Sequence, residues 1–340
     1  MISDTLLTFL QFVPIILLLW FANKGEARRE SPEVSGIGWV ITTSVLLSIG
    51  FLLLLGGGLI VLLFGNLTFS EAMPSADLSQ RIPFMGLSLL LPSIIGFLLF
   101  IPAIRRGLSR PFSLDPHNRV HATSLSLLMF VFAYLFAFLS LGVANMAKIS
   151  TGSEDGNPIA PLWAQQITFF FIALFGVGWL SGRRTLKQGL KRLGIVKLTL
   201  REVGIGLGAG LLLVIVGPTL EYLGQFIGIS ADPNVNKLTE EMLGPLYGSV
   251  LGILTLGLSA ALGEETVFRG ALQPRFGLLF TALIFSFVHS NYGLSLSTAI
   301  VFIVGIALGI LRKRYNTTTT MIVHATYNMS LGVIAYFAAQ

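Results

Sequence analysis

The chain reads as an all-α, polytopic transmembrane helical bundle of about ten spans, with its functional site in the last four. Composition comes first: of 340 residues, 54% are hydrophobic and 11% charged, with mean hydropathy +0.81, whereas a soluble domain carries roughly 25% charged residues. Apolar runs of about 20 residues recur along the whole length between short polar loops, which suits helices crossing a bilayer and not the ten-residue alternation of a barrel. Finally, 19 of the 22 lysines and arginines fall in alternate loops, leaving Arg81, Lys148 and Lys237 for the other side. The positive-inside rule then puts the basic loops in the cytoplasm and both termini outside. The net charge of +6 is explained by topology, and no nucleic-acid partner is needed. Cysteine is absent, which excludes disulfides, thiolate metal sites and a cysteine nucleophile.

The spans expected are residues 6–22, 37–64, 84–104, 122–143, 163–180, 203–220, 247–262 continuing into an acid pair, 276–289, 297–311 and 317–337. The first carries Asp4 and no basic leader, so it reads as a retained helix and not a cleaved signal. The second is long enough to tilt or to break at Gly56-Gly57-Gly58. Between the fifth and sixth spans, Leu186, Leu190 and Leu193 recur at helical spacing among basic residues. This is the pattern of an amphipathic segment on the cytoplasmic leaflet. The glycines from Gly204 to Gly210 suit close helix packing, not nucleotide binding. Thr317 to Thr320 follow Asn316 and are expected to cap the last helix. The chain divides into residues 1–202, membrane spans plus the basic interfacial segment, and 203–340, which holds the chemistry.

That chemistry starts at Glu264 and Glu265, at the end of an uncharged apolar run. Charges at membrane depth are costly unless paired or wetted, so an intramembrane acid pair marks a functional site. Glu265 and Arg269 stand at i,i+4 with the acid first, the favourable order for an ion pair. Glu264 points about 100° away on the same helix and is left free. Of the four histidines, His289 and His324 lie in apolar spans, and Asn328 shares a helix face with His324. Intramembrane polar groups face the bundle interior and one another. A carboxylate and an imidazole about one water make a general base or part of a metal site. A His and an Asn one turn apart can donate to an oxyanion. The set describes amide hydrolysis without a covalent nucleophile. No G-x-S-x-G or H-E-x-x-H is present, so serine-triad and zincin chemistry have no support.

Glu264-Glu265-x-x-x-Arg269, then Phe285-x-x-x-His289, then His324-x-x-x-Asn328 resemble the three motifs of the CAAX protease and bacteriocin-processing intramembrane proteases, which include the type II CAAX prenyl endopeptidases. The resemblance covers roughly residues 245–340. It implies that Glu264 and His289 activate the attacking water, that His324 and Asn328 form the oxyanion hole, and that Glu265 and Arg269 support them. It leaves open a metal-free glutamate protease or a metalloprotease holding a divalent ion, zinc for instance, on Glu264, His289 and His324. The partners implied are membrane lipid and a peptide or protein substrate at the membrane, prenylated or otherwise; the setting implied is a prokaryotic plasma membrane.

Blander readings exist for each feature. Alone, the acid pair is a helix-end cluster snorkelling to the surface, His324 with Asn328 is glue between helices, and His289, with Asn291 and Tyr292 following it, sits near a loop. Phe285 is a packing residue. His117 and His121 follow Pro116 in a basic loop and read as solvated. Rival functions for the same residues are a transporter or proton-coupled carrier, and a non-catalytic immunity protein that binds a peptide.

Overall fold

The apolar runs become helices in the computed structural model, which describes residues 2–29, 36–69, 76–150, 158–228, 232–289 and 292–338. In chain order these are α1 (Ile2–Leu10), α2 (Val13–Arg29), α3 (Ile37–Phe69), α4 (Ala76–Leu98), α5 (Pro102–Ser109), α6 (Arg119–Leu141), α7 (Val143–Ser150), α8 (Ile159–Gly176), α9 (Leu186–Leu193), α10 (Leu200–Phe226), α11 (Pro233–Tyr247) and α12 (Val250–Glu265). A π-helical segment (Thr266–Leu272) follows, then α13 (Gln273–Phe276), α14 (Leu278–Phe287), α15 (Leu296–Arg314) and α16 (Thr317–Ala338). The protein is an all-α polytopic bundle. Among the described residues nine helices are long and apolar enough to cross a membrane.

The expected count of ten changes at the eighth span. Residues 276–289 yield only the ten-residue α14, roughly 15 Å of helix, about half a hydrocarbon core. Conversely, the preceding span does not stop at residue 262 but runs unbroken in helical form from Val250 to Phe276. The acid pair therefore lies midway along a span and not at its end. Reading Arg269 and Arg275 as loop charges places the end too early, because both lie within the helical run.

Two compact units are formed, Leu17–Ile149 and Met1–Ile16 with Ser150–Gln340. The boundary expected at 202/203 falls inside the second. In the first unit α3 is continuous through Gly56-Gly57-Gly58 and does not break there. Gly58 instead serves a close approach: a Cβ on it would lie 2.9 Å from the Gly86 carbonyl oxygen of α4. The buried Glu26 binds the start of α6, accepting from the Arg119 backbone N–H at 2.9 Å and from the Asn118 amide at 3.1 Å. His121 accepts from the Asp115 backbone N–H at 3.0 Å, so this histidine organises its loop.

The second unit is built around α16. Gly206 and Gly210 of α10 lie against Thr319, Ile322, Val323 and Thr326 on one side, and Gly257 of α12 lies against Ala325 and Met329 on the other. Glycines let the helix backbones approach where lipid provides no hydrophobic drive of its own. Asn316 caps α16, accepting from the Thr319 N–H at 2.8 Å. The threonines expected to do so instead tie α16 to the segment after α8. Thr317 donates to the Leu193 carbonyl, and Thr318 exchanges bonds with Val196 at 2.9 and 3.0 Å. The α9 segment is more than an interfacial anchor, because Leu193 is fully buried against the π-helical segment, and its carbonyl lies 2.9 Å from where a Gly270 Cβ would be. Asn291 lies outside the described residues.

Gly210→Leu is expected to force α10 off α16 and cost about 1–3 kcal/mol, as overpacking does. Gly208→Leu, at an exposed glycine with open space around it, should change stability by less than about 0.5 kcal/mol. Thermal unfolding of the two variants in detergent compares them directly.

Candidate active site

The helix carrying the acid pair starts cleanly, with Ser249 accepting from the Gly252 N–H at 3.0 Å, and changes its winding immediately after Glu265. From Thr266 to Leu272 it is π-helical, the wider i→i+5 turn that often marks functional positions. Thr266 donates from its hydroxyl to the Leu262 carbonyl at 2.6 Å at this junction. The wider turn keeps Glu265, Thr266, Phe268, Arg269 and Gly270 all buried.

Glu265 is fully enclosed, and one of its oxygens takes two partners. Arg269 Nη1 lies 3.1 Å from Oε1, and His324 Nδ1 lies 2.9 Å from the same atom. Arg269, 1% exposed, also donates from Nη2 to the Gly305 carbonyl of α15 at 3.4 Å, and its guanidinium sits 4.1 Å from the centre of the Phe285 ring. A buried ion pair survives only when its members are hydrogen-bonded as well as paired. Here one acid binds three elements: α12, the π-helical segment and α16.

Phe285 stands at the centre of the motif residues. Its ring packs edge-on to Phe268 at 5.2 Å, His289 at 5.1 Å and His324 at 6.2 Å between centroids. Depth explains how a helix half a membrane long reaches this group. The chain descends twelve residues from Glu264 to Phe276 and returns eleven from Leu278 to His289, roughly 18 Å and 16 Å at helical rise. His289 thus returns to the level of the acids.

Both imidazoles are oriented by what holds Nδ1. His289 Nδ1 lies 2.9 Å from the Phe285 carbonyl oxygen, which can only accept, so Nδ1 carries a hydrogen and the neutral ring presents its lone pair at Nε2. His289 also stacks on Tyr292 at 5.9 Å. His324 donates from Nδ1 to Glu265, again leaving Nε2 for other chemistry. As an imidazolium it would donate from both nitrogens. Asn328 uses one amide hydrogen on the Leu256 carbonyl of α12 at 3.2 Å, which leaves the other.

Glu264 is held differently. It is half-buried, and its Oε1 accepts from the Gln166 side chain of α8 at 3.3 Å. Among the described residues no hydrogen bond or ion pair joins it to His289 or His324, so the structure gathers His289, His324, Phe285, Glu265 and Arg269, with Asn328 one turn further on, and sets Glu264 beside them. Gln166, which sequence reasoning passed over, could have been found by the same rule that singled out the histidines: it is an amide at membrane depth in an apolar run.

Nδ1-anchored imidazoles beside a carboxylate are a donor set that zinc accepts. Among the described residues, however, no three His, Asp or Glu side chains are grouped as ligands of one ion. Glu264, His289 and His324 are not grouped as ligands of one ion in this structure.

A family model for Rce1-like type II CAAX prenyl endopeptidases matches residues 246–330. This part of the chain is similar to the CAAX protease family. The matched segment runs from the end of α11 into α16 and takes in all three motifs. It leaves out α8, and with it Gln166. The chain is also 34% identical over 126 residues to an uncharacterized 24.3 kDa protein of Escherichia coli, a match covering 34% of this chain and 56% of that one. No solved structure matches the chain.

Removing the Phe285 ring tests its central position. Phe285→Ala is expected to cost about 3–5 kcal/mol. Phe285→Leu, which keeps most of the volume but loses the guanidinium contact, should cost about 1–2 kcal/mol. Reversible unfolding in mixed micelles reads both.

Proposed function

We propose that the protein is an intramembrane endopeptidase that hydrolyses a peptide bond by direct attack of water, on a prenylated or other membrane-associated peptide. The observation that carries this reading is the difference between the two neighbouring acids. Glu265 is fully enclosed by Arg269 and His324, whereas Glu264 is half-buried and held on one oxygen. A general base must be reachable and not already neutralised by a fixed partner.

In this mechanism Glu264, with the Nε2 lone pair of His289, draws a proton from water as its oxygen attacks the scissile carbonyl. Negative charge develops on the carbonyl oxygen, where His324, acting as the imidazolium paired with Glu265, donates from Nε2 and Asn328 from its remaining N–H. The proton held by the base passes to the leaving nitrogen as the C–N bond breaks, and an acid and an amine leave. Glu265 keeps the His324 ring in orientation, as a carboxylate behind an imidazole does in other hydrolases, and Arg269 neutralises Glu265. The family match supports protease chemistry in general; these residue roles are our assignment. The distribution of basic loops favours cytoplasmic access to the site and both termini outside, and the setting we propose is a prokaryotic plasma membrane.

The test is cleavage of a farnesylated CAAX peptide by the purified protein in lipid vesicles. Glu264→Ala, His289→Ala and His324→Ala should each slow it by about 10²–10⁴-fold while eluting and melting as folded protein. Parental cleavage by Glu264→Ala would remove the assignment.

A further inference from the structure

We infer that Gln166 is a positioning residue for the attacking water. It lies on α8, outside the matched family segment, and the inference rests on Glu264 being the base. Three observations converge on it. Its Nε2 donates to Glu264 Oε1 at 3.3 Å, the contact that fixes this carboxylate. The side chain is 5% exposed, so an amide with two donors and two acceptor lone pairs has been taken out of water at some cost. Its Oε1 and Glu264 Oε2 are both shut off from solvent without a protein hydrogen-bond donor.

Two buried acceptors on groups already joined by a hydrogen bond need donors, and one water has two hydrogens. Gln166 Oε1 takes one of them and Glu264 Oε2 the other. The hydrogen on Glu264 is the one transferred when the water oxygen forms its bond to the scissile carbon. The hydrogen on Gln166 stays and holds the oxygen's lone pair toward the substrate. Gln166 exchanges no proton, and so acts through Glu264 and the water.

The backbone is built for this contact. A Cβ on Gly263 would lie 2.1 Å from Gln166 Oε1, 2.7 Å from the Gln166 carbonyl oxygen and 2.8 Å from its Cα. Only glycine lets α12 meet α8 closely enough for the short reach from Gln166 to the next residue, Glu264. Of the charged groups near Glu264, Glu265 adjoins it on α12 and Arg269 of the π-helical segment lies within electrostatic reach. From α8 the group facing it is the neutral Gln166.

The experiment uses the full chain in nanodiscs and two readouts. The first is the infrared carboxyl band of protonated Glu264, identified by its loss in Glu264→Gln and followed against pH. The second is the pH profile of farnesylated-peptide cleavage. Gln166→Leu should shift the infrared midpoint by at least half a pH unit and lower kcat about 10²-fold, the effect of misplacing a reacting group by about 1 Å, with KM changed less than about 3-fold. Gln166→Glu, which keeps size and an acceptor, sets a second carboxyl against Glu264 and should raise that midpoint by at least a pH unit. An unchanged Glu264 midpoint in both variants, with parental kcat in Gln166→Leu, overturns the inference. If Gln166→Leu does not fold, Gln166→Glu decides on the same readouts. If the parent cleaves no peptide, the proposed function fails on its own, and an unshifted infrared midpoint still refutes the Gln166 contact while a shifted one upholds it.

Discussion

One buried carboxylate sets the arrangement of this site. Glu265 sits inside the bundle with Arg269 and His324 on the same oxygen, and each of the three needs the others. An enclosed arginine without its acid, or an enclosed acid without its arginine, leaves an uncompensated charge costing about 3–5 kcal/mol. Because the partners sit on different helical elements, the electrostatic requirement becomes a packing requirement. α16 must lie where His324 reaches Glu265, and the π-helical segment must turn Arg269 back toward it. Phe285 then fills the space beside the guanidinium and orders both histidines around its ring.

Other helices of the same unit serve that placement. Glycines at 206, 210 and 257 bring α10 and α12 within backbone distance of α16, and Gly263 does the same for α12 and α8. Small residues do here what a hydrophobic drive does in water. The continuous helical run from Val250 to Phe276 and the short α14 have a shared consequence, since together they return His289 to mid-span. The return of eleven residues from Leu278 to His289 sets that depth.

Much of this was legible in the sequence, for local reasons. Glu265 with Arg269 at i,i+4, and Glu264 turned away from them, follow from helical periodicity alone, and both relations appear in the structure. The bundle class followed from hydropathy. What was not legible depends on pairing between distant segments. Nothing local couples His324 to Glu265 or Gln166 to Glu264. Nor does the apolar pattern distinguish Gly56-Gly57-Gly58 as a break from a continuous helix with one glycine facing a neighbour. The depth of the acid pair was misread because Arg269 and Arg275 look like loop charges when their partners are unseen. In the fold, Arg269 is an interior residue and Arg275 lies at the end of the span.

The central claim is that Glu265 and Arg269 form an obligatory buried couple. A double-mutant cycle on reversible unfolding in mixed micelles, using Glu265→Leu, Arg269→Met and the pair together, tests it most directly. The predicted result is that each single change is strongly destabilising and the double change much less so than their sum, with a coupling above about 2 kcal/mol. Additive effects, agreeing within about 0.5 kcal/mol, would contradict it and leave the site without the interaction that holds it together.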